Sequence, residues 1–215
     1  RSRPHAMDLA EQLRTATWPL HRQVESSAFM RELVQGQVGP AAYCRLLRSL
    51  HALYEALETV LSHQGPHDLL TVARLPGLAR APALAADLAA LHGPAWRDEI
   101  GPCASATDYA THLHRLGDTR PERLLAHAYV RYLGDLSGGQ ALRRVVARAL
   151  GLRGGEGTRF YDFGDLPAQV ALGRAFREGL AGLRCDTGCE AGIVDEAVQA
   201  FVRHGHLFDE LQRSA

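Results

Sequence analysis

The run Tyr132-Leu133-Gly134-Asp135-Leu136-Ser137-Gly138-Gly139-Gln140 lies inside a longer stretch, Pro121 to Leu150, whose apolar spacing otherwise predicts one helix. Each glycine in a helix interior costs about 1 kcal/mol against alanine, so Gly134, Gly138 and Gly139 together call for a return. At about 100° per residue, these glycines, Asp135 and Arg131 fall within one arc of about 140°. That arc is bare main chain flanked by a carboxylate and a guanidinium. It lets a flat ligand lie against the backbone, and it lets the helix bend. Close helix-on-helix packing at small residues is the competing explanation. The polar Asp135, Ser137 and Gln140 favour the ligand, because a packing seam would be flanked by apolar residues. A phosphate cradle between strand and helix fits poorly: Ala126 to Tyr132 has no strand alternation and no lysine follows the glycines.

Outward from this run, every patterned segment reads as helix. Before it, Leu9, Leu13, Leu20 and Val24 define a first helix from Asp8, which Pro19 should bend. Phe29 to Gln35 makes a short helix. Pro40 to Leu61 carries Tyr43, Leu46, Leu47, Leu50, Leu53, Tyr54, Leu57 and Leu61 at spacings of three and four, the pattern of a core helix. Residues 62–81, punctuated by Gly65-Pro66, Pro76 and Gly77, predict a surface connection with at most a short helical piece. Helices then follow over Pro82–Leu91 and over Ser105–Leu116, the latter with Ser105 as N-cap above Asp108. After Leu150, the glycines between Gly151 and Gly157 end the central helix. Phe160, Tyr161 and Phe163 are aromatic enough to be pinned against the body, and Pro167–Leu183 and Ile193–Leu211 are the last amphipathic helices. With no sustained alternation and no internal repeat, the expected architecture is all-α: a tail over residues 1–7, then a single domain of about eight helices over 8–215.

Composition narrows the function classes. Among 215 residues, 24 basic side chains balance 24 acidic ones, which argues against broad nucleic-acid binding. No apolar stretch approaches membrane-spanning length, and no secretory signal core is visible at the start, so a cytoplasmic protein without membrane contact is expected. Cys44, Cys103, Cys185 and Cys189 are dispersed, and only the last two have ligand-like spacing. Buried free thiols are therefore expected rather than a zinc site.

His21 stands out among the histidines because Glu25 follows one helical turn later and can hold the imidazole. A lone histidine is more often a surface or hydrogen-bonded core residue, and spacing does not promote it further. The pairs His112/His114 and His204/His206 diverge by about 200° on a helix, so neither forms a convergent metal site by itself. No Glu-x-x-His motif recurs as in di-iron bundles.

The stretch Ala126-His127-Ala128-Tyr129-Val130-Arg131 leading into Tyr132 to Gln140 resembles the distal-helix signature of the haem oxygenases, enzymes that oxidatively open haem. Phe29-Met30-Arg31, Gly36-Gln37-Val38, Gly93-Pro94-Ala95-Trp96 and Leu207-Phe208-Asp209-Glu210-Leu211-Gln212 agree in order, and the similarity spans residues 8–213. The resemblance implies haem b as substrate and cofactor. His21 would be its proximal iron ligand and Glu25 the assisting carboxylate. Gly134, Gly138 and Gly139 would be the glycines of a kinked distal helix that leaves room only for dioxygen. It further implies that Asp135 orders water for proton delivery, with Arg131 and Tyr54 in the same network. Arg14, Tyr129 and Arg177 would anchor the propionates, and Phe201 would wall the pocket.

Departures from the family pattern are Trp18 and Gly173, where lysines face the propionates in mammalian-type members, with Arg174 as a possible substitute; Val130, for a hydroxyl residue; and His204, for an amide. The implied reaction yields biliverdin, in its alpha isomer, with carbon monoxide and ferrous iron. It consumes O2 and electrons from an external reductase or ferredoxin, since the chain carries no flavin or nicotinamide (NAD) fingerprint. The absence of a hydrophobic tail after Ala215 suggests a soluble, bacterial-type, monomeric member. A non-catalytic haem carrier or sensor is the alternative on the same fold, and a different substrate on that fold is a third.

Overall fold

The protein, described here from a computed structural model covering residues 7–214, is helical with no strand among those residues. The expected tail, residues 1–7, lies outside the described residues except for the exposed Met7. Helix α1 (Leu9–Glu25) opens on Asp8, whose carboxylate accepts the Glu11 amide, and it runs through Pro19. Helix α2 (Ala28–Val34) is capped by Ser27, and α3 (Pro40–His63) is buried along most of one face, including Tyr43, Leu47, Leu50, Leu53, Tyr54 and Leu57. Helices α4 (Ala81–His92) and α6 (Ala104–Thr119) pack on α3. A single turn, α5 (Trp96–Glu99), joins them. Helix α7 (Leu124–Ala128) passes through a π-helical turn at Tyr129–Leu133 into α8 (Gly134–Ala149). Then come α9 (Leu166–Gly182) and α10 (Thr187–Arg213), and α10 packs on α1, α2, α6 and α7.

Four local expectations are corrected. The predicted Pro121–Leu150 helix is not uniform: a 3-10 turn at Pro121–Arg123 starts it, and the widened π turn sits just before Gly134 while the glycines themselves are regular α-helix. Ser105 is not the cap of α6. The Glu210 carboxylate of α10 accepts the Ala104 and Ser105 amides instead, so a distant helix satisfies that end. Residues 62–81 are not merely a surface link, because Leu70, Val72, Ala73 and Leu78 are buried there, and Arg74 donates to the carbonyls of Leu61, in the last turn of α3, and of Gln64 and Gly65 just beyond it. Helix α10 begins at Thr187, well before Ile193, because Asp186 caps it through the Cys189 amide. The four cysteines are free thiols, although only Cys44 is fully buried.

The aromatic segment after α8 is pinned as expected. Asp87 of α4 accepts the amides of Arg159 and Phe160, while the buried Arg80 lies 3.9 Å from the centre of the Phe163 ring and donates to the carbonyls of Phe160 and Asp162. This fastening sets Tyr161 against α8, behind the glycine run.

Candidate functional site

A slot opens between α1 and the length of chain from the π turn into α8. Its inner part is lined by His21, Glu25, Arg131, Gly134, Asp135, Gly138, Gly139, Phe201 and His204, among apolar neighbours such as Leu46, Leu50 and Leu142. The mouth is lined by Arg14, Trp18, Tyr129 and Arg177, and it shares His21, Val130, Gly134 and Phe201 with the interior. Of the twelve residues that the family resemblance assigns to the haem site, only Tyr54 lies outside both linings, buried on α3 and hydrogen-bonded to Asp135.

The glycines divide into two kinds. A Cβ built on Gly134 or Gly138 would meet no heavy atom within 4 Å, so main chain there faces open space. On Gly139 it would rest in ordinary van der Waals contact with the Tyr161 ring at 3.5 Å, so that position faces protein rather than open space. The backbone reaches this position through the π turn, which rotates the faces of the following helix relative to the preceding one.

Behind the bare backbone lies a closed polar cluster. The Arg131 guanidinium donates to Asp135 Oδ1 at 2.9 Å and to the Tyr54 hydroxyl at 3.1 Å, and Tyr54 donates to Asp135 Oδ2. Burial pushes the Asp135 carboxyl above the usual aspartate range, and Arg131 and the Tyr54 hydrogen bond oppose that shift. Burial likewise raises Tyr54. Arg131, which burial alone would lower, is raised because Asp135 and Tyr54 surround it. The carboxylate is therefore oriented by two donors and kept closer to protonation than an exposed aspartate.

On the opposite wall His21 is held more loosely. Its Nδ1 is buried without a hydrogen-bond partner, Glu25 Oε2 being 3.5 Å away, and its side chain is 38% exposed. The Trp18 ring stacks on the imidazole at 5.7 Å between centres, and Phe201 meets it edge-on at 5.9 Å. Trp18 was noticed in the sequence only as a replaced lysine, and its stacking role had no sequence signal beyond spacing three residues from His21. Arg174 does not join the mouth; it is exposed and lies 3.9 Å from Glu178. Gly173 leaves room for the neighbouring Arg177, since a Cβ there would come within 3.3 Å of that guanidinium.

His204 is fully enclosed. Its Nδ1 donates to the Ala200 carbonyl at 2.7 Å, which leaves Nε2 as a buried lone pair without a partner in the wall of the slot. Burial, reinforced by the positive field of Arg131, lowers its pKa to about 3, so the ring is neutral.

The family model described as "Heme oxygenase" matches residues 7–210 of the chain. Heme oxygenase 1 of Synechocystis sp. is 35% identical over 207 residues, covering 96% of this chain and 86% of that protein. Heme oxygenase 1 of Pongo abelii is 37% identical, covering 99% of this chain and 75% of that protein. Among solved structures, the Synechocystis heme oxygenase-1 in complex with heme superposes with a TM-score of 0.91 at 35% identity, covering 97% of this chain and 94% of that one. The heme oxygenase of Leptospira interrogans gives 0.89 at 35% identity, covering 95% and 100%.

Proposed function

The chain belongs to the haem oxygenase family, and on that premise we propose which of its residues bind haem and direct its opening. The protein is a haem-degrading monooxygenase, with haem b as both substrate and cofactor. When bound, haem supplies the redox-active iron and the macrocycle that is cut. The residues suit such a guest. The slot is lined largely by apolar side chains, an imidazole stands in one wall, and the other is main chain whose missing Cβ atoms would otherwise fill the space.

His21 is the iron ligand in this reading. With Nδ1 facing Glu25, Nε2 is the ring nitrogen left for the metal, and the carboxylate is placed to orient the ring. Trp18 and Phe201 hold the ring's plane. Arg14, Tyr129 and Arg177 at the mouth bind the propionates, guanidinium forks matching carboxylates. The open main chain at Gly134 and Gly138 would leave room for dioxygen beside a bound haem, and the steric edge it presents would favour the alpha isomer. Asp135, oriented by Arg131 and Tyr54, relays protons through water to the reacting face without touching the metal. The Nε2 lone pair of His204 accepts from a water in the same space. Products are biliverdin alpha, carbon monoxide and ferrous iron.

Electrons come from a separate reductase or ferredoxin, for which Arg14 and Arg177 at the mouth, with the exposed Arg174 outside it on α9, offer a complementary docking face. No helix among the described residues is long and apolar enough to cross a membrane. We place the protein in the cytoplasm as a monomer, with residues 8–215 forming one domain.

The observation that carries this reading is the shared cavity: His21 and the Cβ-free backbone at Gly134 and Gly138 line one space. Anaerobic haem titration followed by oxygen and an external reductant tests it. Expected is loss of the Soret band with appearance of biliverdin, eluting as the alpha isomer. A Soret band that persists through repeated reduction would identify a carrier instead.

A further inference from the structure

Outside the lining of the slot, three helices bring His112 of α6, His127 of α7 and Glu196 of α10 together, and their ligand atoms all lie within 4.8 Å of one another. It is the only cluster of three such side chains among the described residues. Both imidazoles turn Nε2 to the same carboxylate oxygen: His112 Nε2 is 2.5 Å and His127 Nε2 is 2.9 Å from Glu196 Oε1. The three side chains are 10%, 0% and 5% exposed. Two imidazole ε-nitrogens and a carboxylate converging on one point are the ligand set of a three-residue zinc centre, in which water takes the fourth position.

We infer that His112, His127 and Glu196 form a zinc site separate from the haem slot. The outer contacts support this. Tyr109 places its hydroxyl 2.6 Å from His127 Nδ1, fixing the ring so that Nε2 faces the carboxylate, and accepts from Nδ1–H when Nε2 coordinates. Arg123 sits 3.6 Å from the other carboxylate oxygen, Oε2, which leaves Oε1 for the metal and restrains the carboxylate's rotation. Without metal the carboxylate substitutes for the ion by accepting both imidazole N–H groups. Ligands at about 2.0–2.1 Å from a tetrahedral centre stand about 3.3 Å apart, so to admit zinc each of the two nitrogen–oxygen separations, now 2.5 and 2.9 Å, opens by less than about 1 Å. One contact must yield. The exposed Arg115 donates to His112 Nδ1 at 2.8 Å, and that nitrogen carries the proton once Nε2 binds metal, so Arg115 turns out to solvent. A bound ion would clip α6 and α10 to the helix that leads directly into the π turn, stabilising the backbone on which Arg131 and Asp135 are mounted.

The competing zinc sink is thiolate chemistry at Cys185 and Cys189, which flank the start of α10. The test uses the full haem-loaded chain, titrated calorimetrically with zinc chloride near neutral pH and examined by X-ray absorption at the zinc edge, where haem iron does not interfere. Expected are one equivalent of zinc taken up at micromolar concentration and nitrogen and oxygen ligands at about 2.0–2.1 Å with no sulfur near 2.3 Å. His112→Gln, which retains an N–H donor for Glu196, should keep the helical circular dichroism and weaken zinc binding at least about tenfold. No uptake, uptake unchanged in His112→Gln, or a sulfur shell would each overturn the assignment.

Discussion

The two walls of the slot are built on opposite principles. The α1 wall presents side chains that are partly exposed and lightly tethered: His21 has no hydrogen-bond partner on its buried Nδ1, and Trp18, stacked on it, is 57% exposed. The α8 wall presents bare backbone, with the side chains behind it buried and bonded to one another through Tyr54, Arg131 and Asp135. A wall that binds metal can be completed by the ligand, because a coordinate bond orders the imidazole. A wall that selects where chemistry occurs must be set beforehand, because its contribution depends on positions fixed before the ligand arrives.

Breaking the preset wall should therefore cost the most. Asp135→Ala is expected to retain haem and fold but to lose about 10²-fold or more in biliverdin formation, in the range general acid–base groups contribute. Single-turnover absorbance with a reductase checks this, and wild-type turnover would remove Asp135 from the chemistry. In the part of the lining that α10 contributes, His204→Asn tests how burial of a neutral ring is linked to pH. The unfolded chain takes up a proton on histidine below about pH 6.5, whereas folded His204 does so only near a pKa of about 3, so its share of stability is present above the unfolded value and is lost as pH falls through that window. The variant should lose that share of the slope, at most about 1.4 kcal/mol per pH unit, and its acid-unfolding midpoint should move to lower pH. His51, lowered to about 4 mainly by burial, keeps its own share in both proteins. An unchanged acid transition would contradict the burial of His204.

Gly138→Ala separates the wall's stability from its function with the smallest effect. Its added Cβ meets no atom of the protein within 4 Å, and alanine favours helix, so the variant should be more stable by up to about 1 kcal/mol in thermal unfolding. It should also turn haem over more slowly, because the methyl group projects into the slot. A less stable variant would place Gly138 against protein instead.

Legibility from sequence followed the same division. The helices with full apolar stripes, α3 above all, were readable because spacing of three and four survives any tertiary context. The glycine run announced its exposed backbone by its energetic cost, although composition alone did not separate Gly134 and Gly138 from the packed Gly139. The π turn was not readable: a shift from i→i−4 to i→i−5 bonding leaves no residue signature in Tyr129–Leu133. The Glu210 cap on α6 was hidden because its donor and acceptor lie 105 residues apart or more. His112 was set aside against its neighbour His114 because helical spacing separates those two, yet its partners are on other helices, 84 residues away in the case of Glu196. Local periodicity finds faces; only the fold pairs them.

The account depends most on His21 reaching the iron across from the bare backbone. Resonance Raman of the ferrous haem complex, recorded for the wild type and for His21→Ala, tests this directly. The wild type should show an iron–imidazole stretch that the variant lacks and that added imidazole restores. The same stretch in His21→Ala without added imidazole would contradict it.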